Sequence, residues 1–281
     1  MPSHPPASPG IPSVSTGQPT RREAELRAAN EALVLATLTA QGLQLVAVEA
    51  LRRQTEALAL AAHELRNPLM PIRTVAMLLG KVTDVEQLPR LTAIIERQVM
   101  HMTRLIDDLL DTARVATGKL HLDRARIELR DVFAAVLDVC QPAMDARRQS
   151  FVARLPERPL VVEGDVIRLT QVFNNLLANA SKYTRPDGDI TLDCRVEAQA
   201  GGAGEVVVTL ADNGIGISAE ALPMIWEPFV QDPLAVGFSK EGLGIGLTLV
   251  RELVQAHGGS VAAASAGAGR GSAFTVVLPL A

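Results

Sequence analysis

The pattern of apolar residues changes near Ile127, and this change constrains the fold more than any other feature of the chain. Before it, apolar residues recur at helical spacing over residues 21–80 and again over 91–117. After it, alternating segments mix with amphipathic helices without a regular βαβ order. The predicted strands are 151–155, 160–163, 190–197, 205–212, 260–264 and 273–278, and the predicted helices are 131–148, 165–183 and 245–257. We therefore predict an α+β protein in which a helical hairpin precedes an α/β sandwich.

The chain divides into four predicted parts. Residues 1–20 contain six prolines and no apolar cluster, which predicts disorder. Residues 21–57 form a helix whose heptad-like leucine spacing favours a coiled coil over a helix of a monomeric bundle. Residues 58–120 form a hairpin of two amphipathic helices, and a second copy would complete a four-helix bundle. Residues 121–281 form the sandwich, and Pro68 and Pro71 are expected to kink the first helix.

Composition and charge exclude several classes of protein. The net charge of −4 gives no basic surface for nucleic acid. Cys140 and Cys194 are isolated from each other, which is typical of a reducing cytoplasm. The apolar run at 33–51 is broken by Gln41, Gln44 and Glu49 and falls short of about 20 apolar residues. The sequence therefore predicts a cytoplasmic protein with no membrane span and no signal peptide.

One histidine stands beside a carboxylate in the first helical segment, within the sequence HELRNPL at residues 63–69. His63 lies off the apolar stripe of this helix, and Asn67 follows one turn later on the same face. A lone histidine in such a position is usually an ordinary surface residue. A function for it therefore depends on what the rest of the chain carries.

An asparagine-rich sequence ends the helix predicted at 165–183. Asn175 and Asn179 are four residues apart, so both side-chain amides lie on one helix face. Neutral amide oxygens suit a Mg²⁺ ion that already carries phosphate oxygens. Lys182 could add a charge for the phosphates, and Tyr183 could pack near a base or sugar. Alone, this pattern could equally be helix capping.

Two glycine-containing sequences complete the candidate nucleotide site. Asp212 ends a strand and opens the sequence DNGIGI at 212–217, where a carboxylate can accept a hydrogen bond from the amine of adenine and glycines allow close approach. The sequence GLGIGL at 242–247 opens a helix and exposes N–H groups to an anion. Between them lie the aromatic sequence WEPF at 226–229 and Lys240, a candidate cation for a lid over the phosphates.

In chain order, the five sequences are HELRNPL, the asparagine-rich helix end, DNGIGI, WEPF and GLGIGL. They resemble the phosphoacceptor, asparagine, first glycine, phenylalanine and second glycine boxes of the sensor histidine kinases, and the resemblance covers residues 50–281. The resemblance implies that His63 is phosphorylated, that Glu64 is its acid/base partner and that Asn67 serves dephosphorylation of a partner aspartate. It also implies a Bergerat-type ATP-binding fold in which Asn175 and Asn179 hold Mg²⁺ and Asp212 binds adenine. The residues implied to frame ATP and its lid are Lys182, Tyr183, Gly214, Gly216, Ile217, Phe229, Lys240, Gly242, Leu243, Gly244, Gly246 and Leu247.

The function implied is a homodimeric protein-histidine kinase that phosphorylates His63 from Mg-ATP and passes the phosphoryl group to a response-regulator aspartate. Phosphatase activity toward the regulator and input from a separate sensor protein are further expectations. One alternative is a hydrolytic ATPase of the same fold, in which a glutamate four residues before the Mg²⁺ asparagine activates water. Asn175 occupies that position and cannot act as a general base. The other alternative is a non-catalytic nucleotide-binding scaffold.

Overall fold

The computed structural model describes residues 21–79, 87–116, 120–198, 204–239 and 242–281. The predicted disorder of residues 1–20 and the predicted lid cation Lys240 lie outside these residues. The chain divides into two compact units, Met1–Glu56 and Ala57–Ala281, which we describe separately.

The first unit consists, in its described part, of the beginning of helix α1, which spans Arg21–Leu79. Within α1, Ala29–Glu49 is long and apolar enough to cross a membrane by length and composition, with a mean hydropathy of 1.5. The hydroxyl groups of Thr37 and Thr39 donate to the carbonyls of Leu33 and Leu35 at 2.8 Å, so the helix satisfies them internally. The prediction that this part of the chain has no membrane span is therefore not confirmed.

The second unit begins with a helical hairpin formed by the remainder of α1 and by α2, Leu88–Ala116. α1 continues as one helix through Pro68 and Pro71. The kink predicted at these prolines stays a prediction. Ala61 and Leu105 are buried in an apolar cluster that also contains residues of the sandwich. A second set of apolar side chains on the hairpin is exposed, and it comprises Leu69, Met70, Met77, Leu78, Val99, Met100, Ile106 and Leu110.

The sandwich consists of a five-stranded sheet with helices packed on it. Its helices are α3 (Leu129–Ala146), α4 (Val166–Tyr183), α5 (Pro233–Phe238) and α6 (Gly246–Ala256). Its strands are β1 (Ala125–Glu128), β2 (Ser150–Arg154), β3 (Val161–Gly164), β4 (Asp189–Glu197), β5 (Glu205–Asp212), β6 (Ser260–Ala264) and β7 (Ser272–Pro279). The large sheet has the order β2-β4-β5-β7-β6, with β2 parallel to β4 and the other pairs antiparallel. β1 and β3 form a separate antiparallel pair.

The core lies between this sheet and helices α3, α4 and α6. Phe173 and Leu176 of α4 and Leu253 of α6 are almost fully buried against strand residues such as Val208. Burial of these side chains contributes most of the favourable free energy of folding, about 25 cal/mol for each Å² of apolar surface removed from water.

Two contacts fix the beginning of α4, the helix that carries both asparagines. The Asp165 carboxylate accepts hydrogen bonds from the backbone N–H groups of Ile167 and Arg168, which caps the helix. The Asp165 N–H donates to Nε2 of the buried His257 at 3.0 Å, and His257 Nδ1 lies 2.7 Å from the Leu253 carbonyl. The ring therefore accepts at Nε2 and donates at Nδ1, and burial lowers the pKa of His257, which favours this neutral form.

The predicted α+β class is confirmed, and the predicted helices and strands of the sandwich agree with the structure to within two residues at each end. Strand β1 and the short helix α5 were not predicted. β1 has only four residues, of which Ala125 and Arg126 are exposed and only Ile127 is buried, so it lacks a clear alternation. α5 depends on its Asp232 cap, whose carboxylate accepts from the Leu234 N–H at 2.8 Å, and it buries none of its residues.

Candidate nucleotide site and phosphoacceptor helix

A cavity of about 310 Å³ lies where α4, the glycine segment 242–247 and α2 meet. Small-molecule sites in proteins commonly have volumes of about 300–1,000 Å³. The cavity lining includes nine of the residues proposed from the sequence: Asn175, Asn179, Lys182, Tyr183, Gly242, Leu243, Gly244, Gly246 and Leu247. The structure thus brings the asparagine and second glycine sequences together although about sixty residues separate them.

The amide of Asn175 has the property expected of a ligand-binding group. Its Nδ2 atom is buried, and within the described part of the chain it has no hydrogen-bond partner. A buried amide without a partner costs about 1–3 kcal/mol, so such groups usually mark a bound ligand, ion or water. The amide lies beside Gly246, where a Cβ atom would be 3.8 Å from Asn175 Nδ2. A phosphate oxygen or a hydrated Mg²⁺ ion fits this donor and acceptor set.

The glycine segment is held open by backbone conformations that favour glycine. Gly242 and Gly244 have φ angles of 108° and 70°, in the left-handed region. A Cβ atom at Gly244 would lie 2.7 Å from the Val230 carbonyl oxygen, which excludes a larger residue without rearrangement. A Cβ atom at Gly242 would lie 3.5 Å from Lys182 Nζ, so the ammonium group of Lys182 sits directly against this glycine.

Glu64 joins the phosphoacceptor helix to the glycine segment. Its Oε2 atom accepts a hydrogen bond from the Gly242 N–H at 3.0 Å, and its Oε1 atom accepts one from Asn67 Nδ2 at 3.2 Å. Glu64 is only 4% exposed, which is unusual for a carboxylate on a helix surface. The side chain therefore bridges α1 and the edge of the nucleotide cavity.

An apolar cluster supports this bridge. Leu243 and Ile245 of the glycine segment are each 2% exposed and pack with Ala61 of α1 and Leu105 of α2. Phe229 packs on the edge of the same cluster, and its N–H donates to the Gly244 carbonyl at 3.0 Å. Phe229 thus positions the glycine segment and does not line the nucleotide cavity.

His63 is exposed on α1, as its position off the apolar stripe of the helix predicts. It does not line the cavity, although its neighbour Glu64 contacts the cavity edge. Asn67 is also exposed, and its amide contacts Glu64. In this arrangement the Glu64 carboxylate accepts hydrogen bonds from Gly242 and Asn67, which leaves a lone pair on each of its oxygens available to a further donor.

Asp212 lies at the end of β5, as the sequence predicted, with a local set of partners. Its Oδ1 atom accepts from the Gly214 N–H at 2.8 Å, and its Oδ2 atom accepts from the Ser272 hydroxyl at 2.5 Å. Burial raises the pKa of Asp212, and the hydrogen bonds from Ser272 and Gly214 oppose this shift. Asp212 is not among the residues that line the 310 Å³ cavity.

The first glycine sequence packs mainly against protein backbone. A Cβ atom at Gly214 would lie 2.3 Å from the Tyr183 carbonyl oxygen, and one at Gly216 would lie 2.1 Å from the Gly267 carbonyl oxygen. The Ile217 N–H donates to the Ser265 hydroxyl at 2.9 Å. Gly214, Gly216 and Ile217 do not line the cavity in this structure and instead contact the end of α4 and the loop after β6.

Sequence reasoning missed the contribution of α2. His101, Arg104 and Asp108 line the cavity opposite α4. Burial raises the pKa of Asp108 to about 6, and the nearby positive charge of Arg104 opposes this shift. The signal was present in the sequence: positions 101, 104, 108 and 111 are spaced by three and four residues and form a polar stripe on one face of this amphipathic helix.

Asp111 continues this stripe and binds α4 directly. Its Oδ2 atom accepts from Arg168 Nη1 at 2.5 Å and from Gln171 Nε2 at 3.1 Å. Asp111 is 4% exposed, and although burial alone would raise its pKa, the hydrogen bonds from Arg168 and Gln171 lower it. The contact holds the amino-terminal half of α4 against α2.

The fold and site define a class of protein: an ATP-binding α+β sandwich docked on a helical hairpin that presents a histidine. Residues 53–118 match the family model of the His Kinase A (phospho-acceptor) domain. Residues 164–281 match the family model of the histidine kinase-, DNA gyrase B- and HSP90-like ATPases. The chain belongs to the sensor histidine kinase family and carries its catalytic core.

Named relatives agree with this assignment. The chain is 31% identical over 235 residues to the sensor protein GacS of Pseudomonas syringae pv. syringae, an alignment that covers 83% of this chain and 26% of GacS. It is 31% identical over 225 residues to the autoinducer 2 sensor kinase/phosphatase LuxQ of Vibrio harveyi, covering 79% of this chain and 26% of LuxQ. The chain thus matches about a quarter of the length of these curated relatives.

A solved structure shows the same arrangement of elements. Full-length ShkA in complex with AMPPNP superposes with a TM-score of 0.56 at 28% identity, covering 80% of this chain and 46% of ShkA.

Proposed function

We propose that this chain is an ATP-dependent protein-histidine kinase that phosphorylates His63 and donates the phosphoryl group to an aspartate of a response regulator. The observation that carries the proposal is the Glu64–Gly242 hydrogen bond, which places the phosphoacceptor sequence of α1 at the edge of the cavity lined by Asn175 and Asn179.

The residues at the cavity suit Mg-ATP. Asn175 and Asn179 offer amide oxygens to Mg²⁺, and Lys182, beside Gly242, supplies a positive charge for the phosphates. No group of three or more His, Cys, Asp or Glu residues suited to a metal occurs among the described residues, so the ion would be bound largely through phosphate and amide oxygens. The similar protein ShkA was solved in complex with AMPPNP, an ATP analogue, which supports ATP as the ligand proposed here.

The proposed reaction forms one bond and breaks one. A ring nitrogen of the neutral His63 side chain attacks the γ-phosphorus of ATP, the bond from that phosphorus to the bridging oxygen breaks, and ADP leaves. The proton on the other ring nitrogen passes to Glu64 or is stabilised by it. Positioning and charge neutralisation account for most of the rate acceleration in phosphoryl transfer.

The decisive experiment incubates the purified chain with γ-labelled ATP and Mg²⁺ and then treats it with acid or base. A phosphohistidine is labile in acid and stable in base. We expect His63→Gln to abolish the label and His101→Gln to retain a detectable acid-labile label, although His101 lines the cavity. A label that persists in His63→Gln and disappears in His101→Gln would reassign the phosphoacceptor to α2.

We further propose that the chain works as a homodimer through the hairpin of α1 and α2. Val99, Ile106 and Leu110 are between 43% and 49% exposed and follow helical spacing along α2, so one face of the hairpin is left uncovered by the described residues of the chain. Pairing with a second hairpin would cover this face in a four-helix bundle.

The remaining proposals concern the partner proteins of the chain and its location in the cell. Asn67 lies one turn after His63 and is exposed, which suits the second activity named for LuxQ, a sensor kinase/phosphatase. ATP and response regulators are cytoplasmic, so we place residues 58–281 in the cytoplasm. The apolar segment Ala29–Glu49 and the predicted coiled coil leave two routes for input, a membrane or a separate sensor protein.

A hydrolytic ATPase is a weaker proposal for this chain. Such enzymes need a carboxylate to activate water, and the corresponding helix position carries Asn175. A non-catalytic scaffold is also weaker, because the proposed acceptor, its carboxylate partner and both asparagines are all present.

A further inference from the structure

The polar face of α2 runs antiparallel to the polar face of α4. Asp111 of α2 contacts Arg168 and Gln171 of α4, and Asp108, one turn earlier, also lies near Gln171. One turn earlier again on α2 is Arg104, and one turn later on α4 is Asn175. Both line the 310 Å³ cavity. The contact at Asp111 therefore sets the register that brings Arg104 opposite the asparagines.

Arg104 is also level with the phosphoacceptor sequence. Its neighbour Leu105 is buried against Ala61, which lies two residues before His63 on α1. Arg104 itself is exposed and lines the cavity, as does Lys182. The cavity lining thus holds two cationic side chains together with Asn175 and the glycine segment.

The negative charge of a triphosphate bound in the cavity requires a further positive side chain such as Arg104. The triphosphate of ATP carries about four negative charges near neutral pH, and one Mg²⁺ ion neutralises two of them. A guanidinium group presents several N–H donors in a planar fork that matches phosphate oxygens, and it stays charged throughout the physiological pH range. In the free protein the carboxyl group of Asp108 lies near the Arg104 charge, which keeps the guanidinium electrostatically compensated.

We propose that Arg104 of α2 is a phosphate-binding residue of the nucleotide site, so that the helical hairpin supplies part of the ATP site. This inference rests on the proposed function and adds a residue outside the ATP-binding sandwich to it. It also predicts that ATP phosphates bind best when the sandwich is docked on α2 as in this structure.

The test compares nucleotide affinities in the full chain by titration calorimetry with Mg²⁺. We expect Arg104→Gln to weaken ATP binding by about tenfold, the effect of losing one charge-assisted hydrogen bond, and to leave adenosine binding within about twofold. Arg104→Lys, which keeps the charge without the planar fork, is expected to recover part of the loss.

Arg97→Gln is the matched control, because it removes the same charge from an exposed position on α2 that does not line the cavity. Arg97 lies seven residues earlier, about 10 Å along the helix, where salt largely screens its charge. ATP affinity in Arg104→Gln within twofold of the wild type would overturn the inference. An equal loss for ATP and adenosine would also overturn it, because the phosphates would then not be the contact.

The result of the Arg104 binding test can be distinguished from the result of the His63 phosphorylation test. If the wild-type chain binds ATP but His63 takes up no phosphoryl group, the kinase proposal fails while the comparison of ATP with adenosine remains decisive for Arg104. If His63 is phosphorylated and Arg104→Gln binds ATP normally, only the inference about α2 fails.

Discussion

The contact between Asp111 and Arg168 is the place where docking of the sandwich on the hairpin can be tested quantitatively. Asp111 is 4% exposed and accepts hydrogen bonds from Arg168 Nη1 at 2.5 Å, Gln171 Nε2 at 3.1 Å and Arg114 Nη1 at 3.3 Å. Removing one partner of a fully buried ion pair costs about 3–5 kcal/mol. The Arg168 side chain is 19% exposed and keeps Gln171 Oε1 as an acceptor at 2.9 Å, so we expect Asp111→Ala to cost about 2 kcal/mol.

A double-mutant cycle of Asp111→Ala and Arg168→Ala isolates the pairwise energy. Urea unfolding can be followed by Trp226, the single tryptophan of the chain, which packs edge-on against Phe274 at 6.1 Å and so reports on the sandwich. We expect a coupling energy of about 1–2 kcal/mol at pH 7. The exposed pair Arg154–Asp193, with side chains 65% and 44% exposed, is the control and should couple by less than about 0.5 kcal/mol.

The pH dependence of this coupling gives a second criterion. The folded-state pKa of Asp111 is lowered from 3.8, so the carboxylate contributes stability above that value and loses it as the pH falls through the folded-state pKa. The coupling should therefore be equal at pH 7 and pH 5 and decline only below about pH 4. A coupling under about 0.5 kcal/mol at pH 7, or one that disappears between pH 7 and pH 5, would refute the reasoning.

Four further predictions follow from individual contacts. Asp108→Asn should stabilise the chain by about 2 kcal/mol at pH 8 and have no such effect at pH 4, as measured by urea unfolding. The reason is that burial raises the pKa of Asp108 to about 6, so the folded state loses stability as the pH rises through that value. Glu64→Ala should accelerate hydrogen exchange of the Gly242 amide by about tenfold or more, since the hydrogen bond at 3.0 Å is lost; unchanged exchange would exclude that contact in solution. Asp212→Asn should weaken ATP binding and reduce the preference for adenine over guanine in competition titrations; equal affinity and selectivity would remove Asp212 from the site. Ile106→Glu should convert a dimer to a 29.9 kDa monomer in light scattering, whereas Val139→Glu, at a residue 68% exposed on α3, should not.

The sequence predicted individual helices and strands well because each depends on a pattern of apolar residues within its own segment. Helix α4 was predicted from its apolar side and its asparagines, and strand β5 from alternation, with bounds that match the structure at 205–212. The predicted histidine kinase domains are confirmed by the family matches at residues 53–118 and 164–281. The roles of individual site residues remain predictions, and Lys240 lies outside the described residues.

The parts that could not be predicted depend on contacts between distant segments. Glu64 and Gly242 are hydrogen-bonded across 178 positions, and Asp111 and Arg168 across 57. A polar residue at a regular position on an amphipathic helix is ordinarily solvated, so its spacing alone does not show that another domain covers it. The same limit applies to Asp212, Gly214 and Gly216, since spacing places them at the end of β5 without showing which cavity they reach.

We expect two carboxylates of the hairpin, Asp111 and Glu64, to have complementary effects on phosphoryl transfer. Asp111 holds α4 on α2 through a nearly buried ion pair, so this contact is expected to persist while smaller parts of the site rearrange. Glu64 holds the glycine segment through a single backbone N–H group, which is a weaker bond and the one closest to His63. If Glu64 accepts the proton of His63, its carboxylate becomes neutral and its hydrogen bond to the Gly242 N–H weakens. The same N–H group is then more available to a phosphate oxygen, so binding of ATP at the glycine segment and activation of His63 would be coupled through one hydrogen bond.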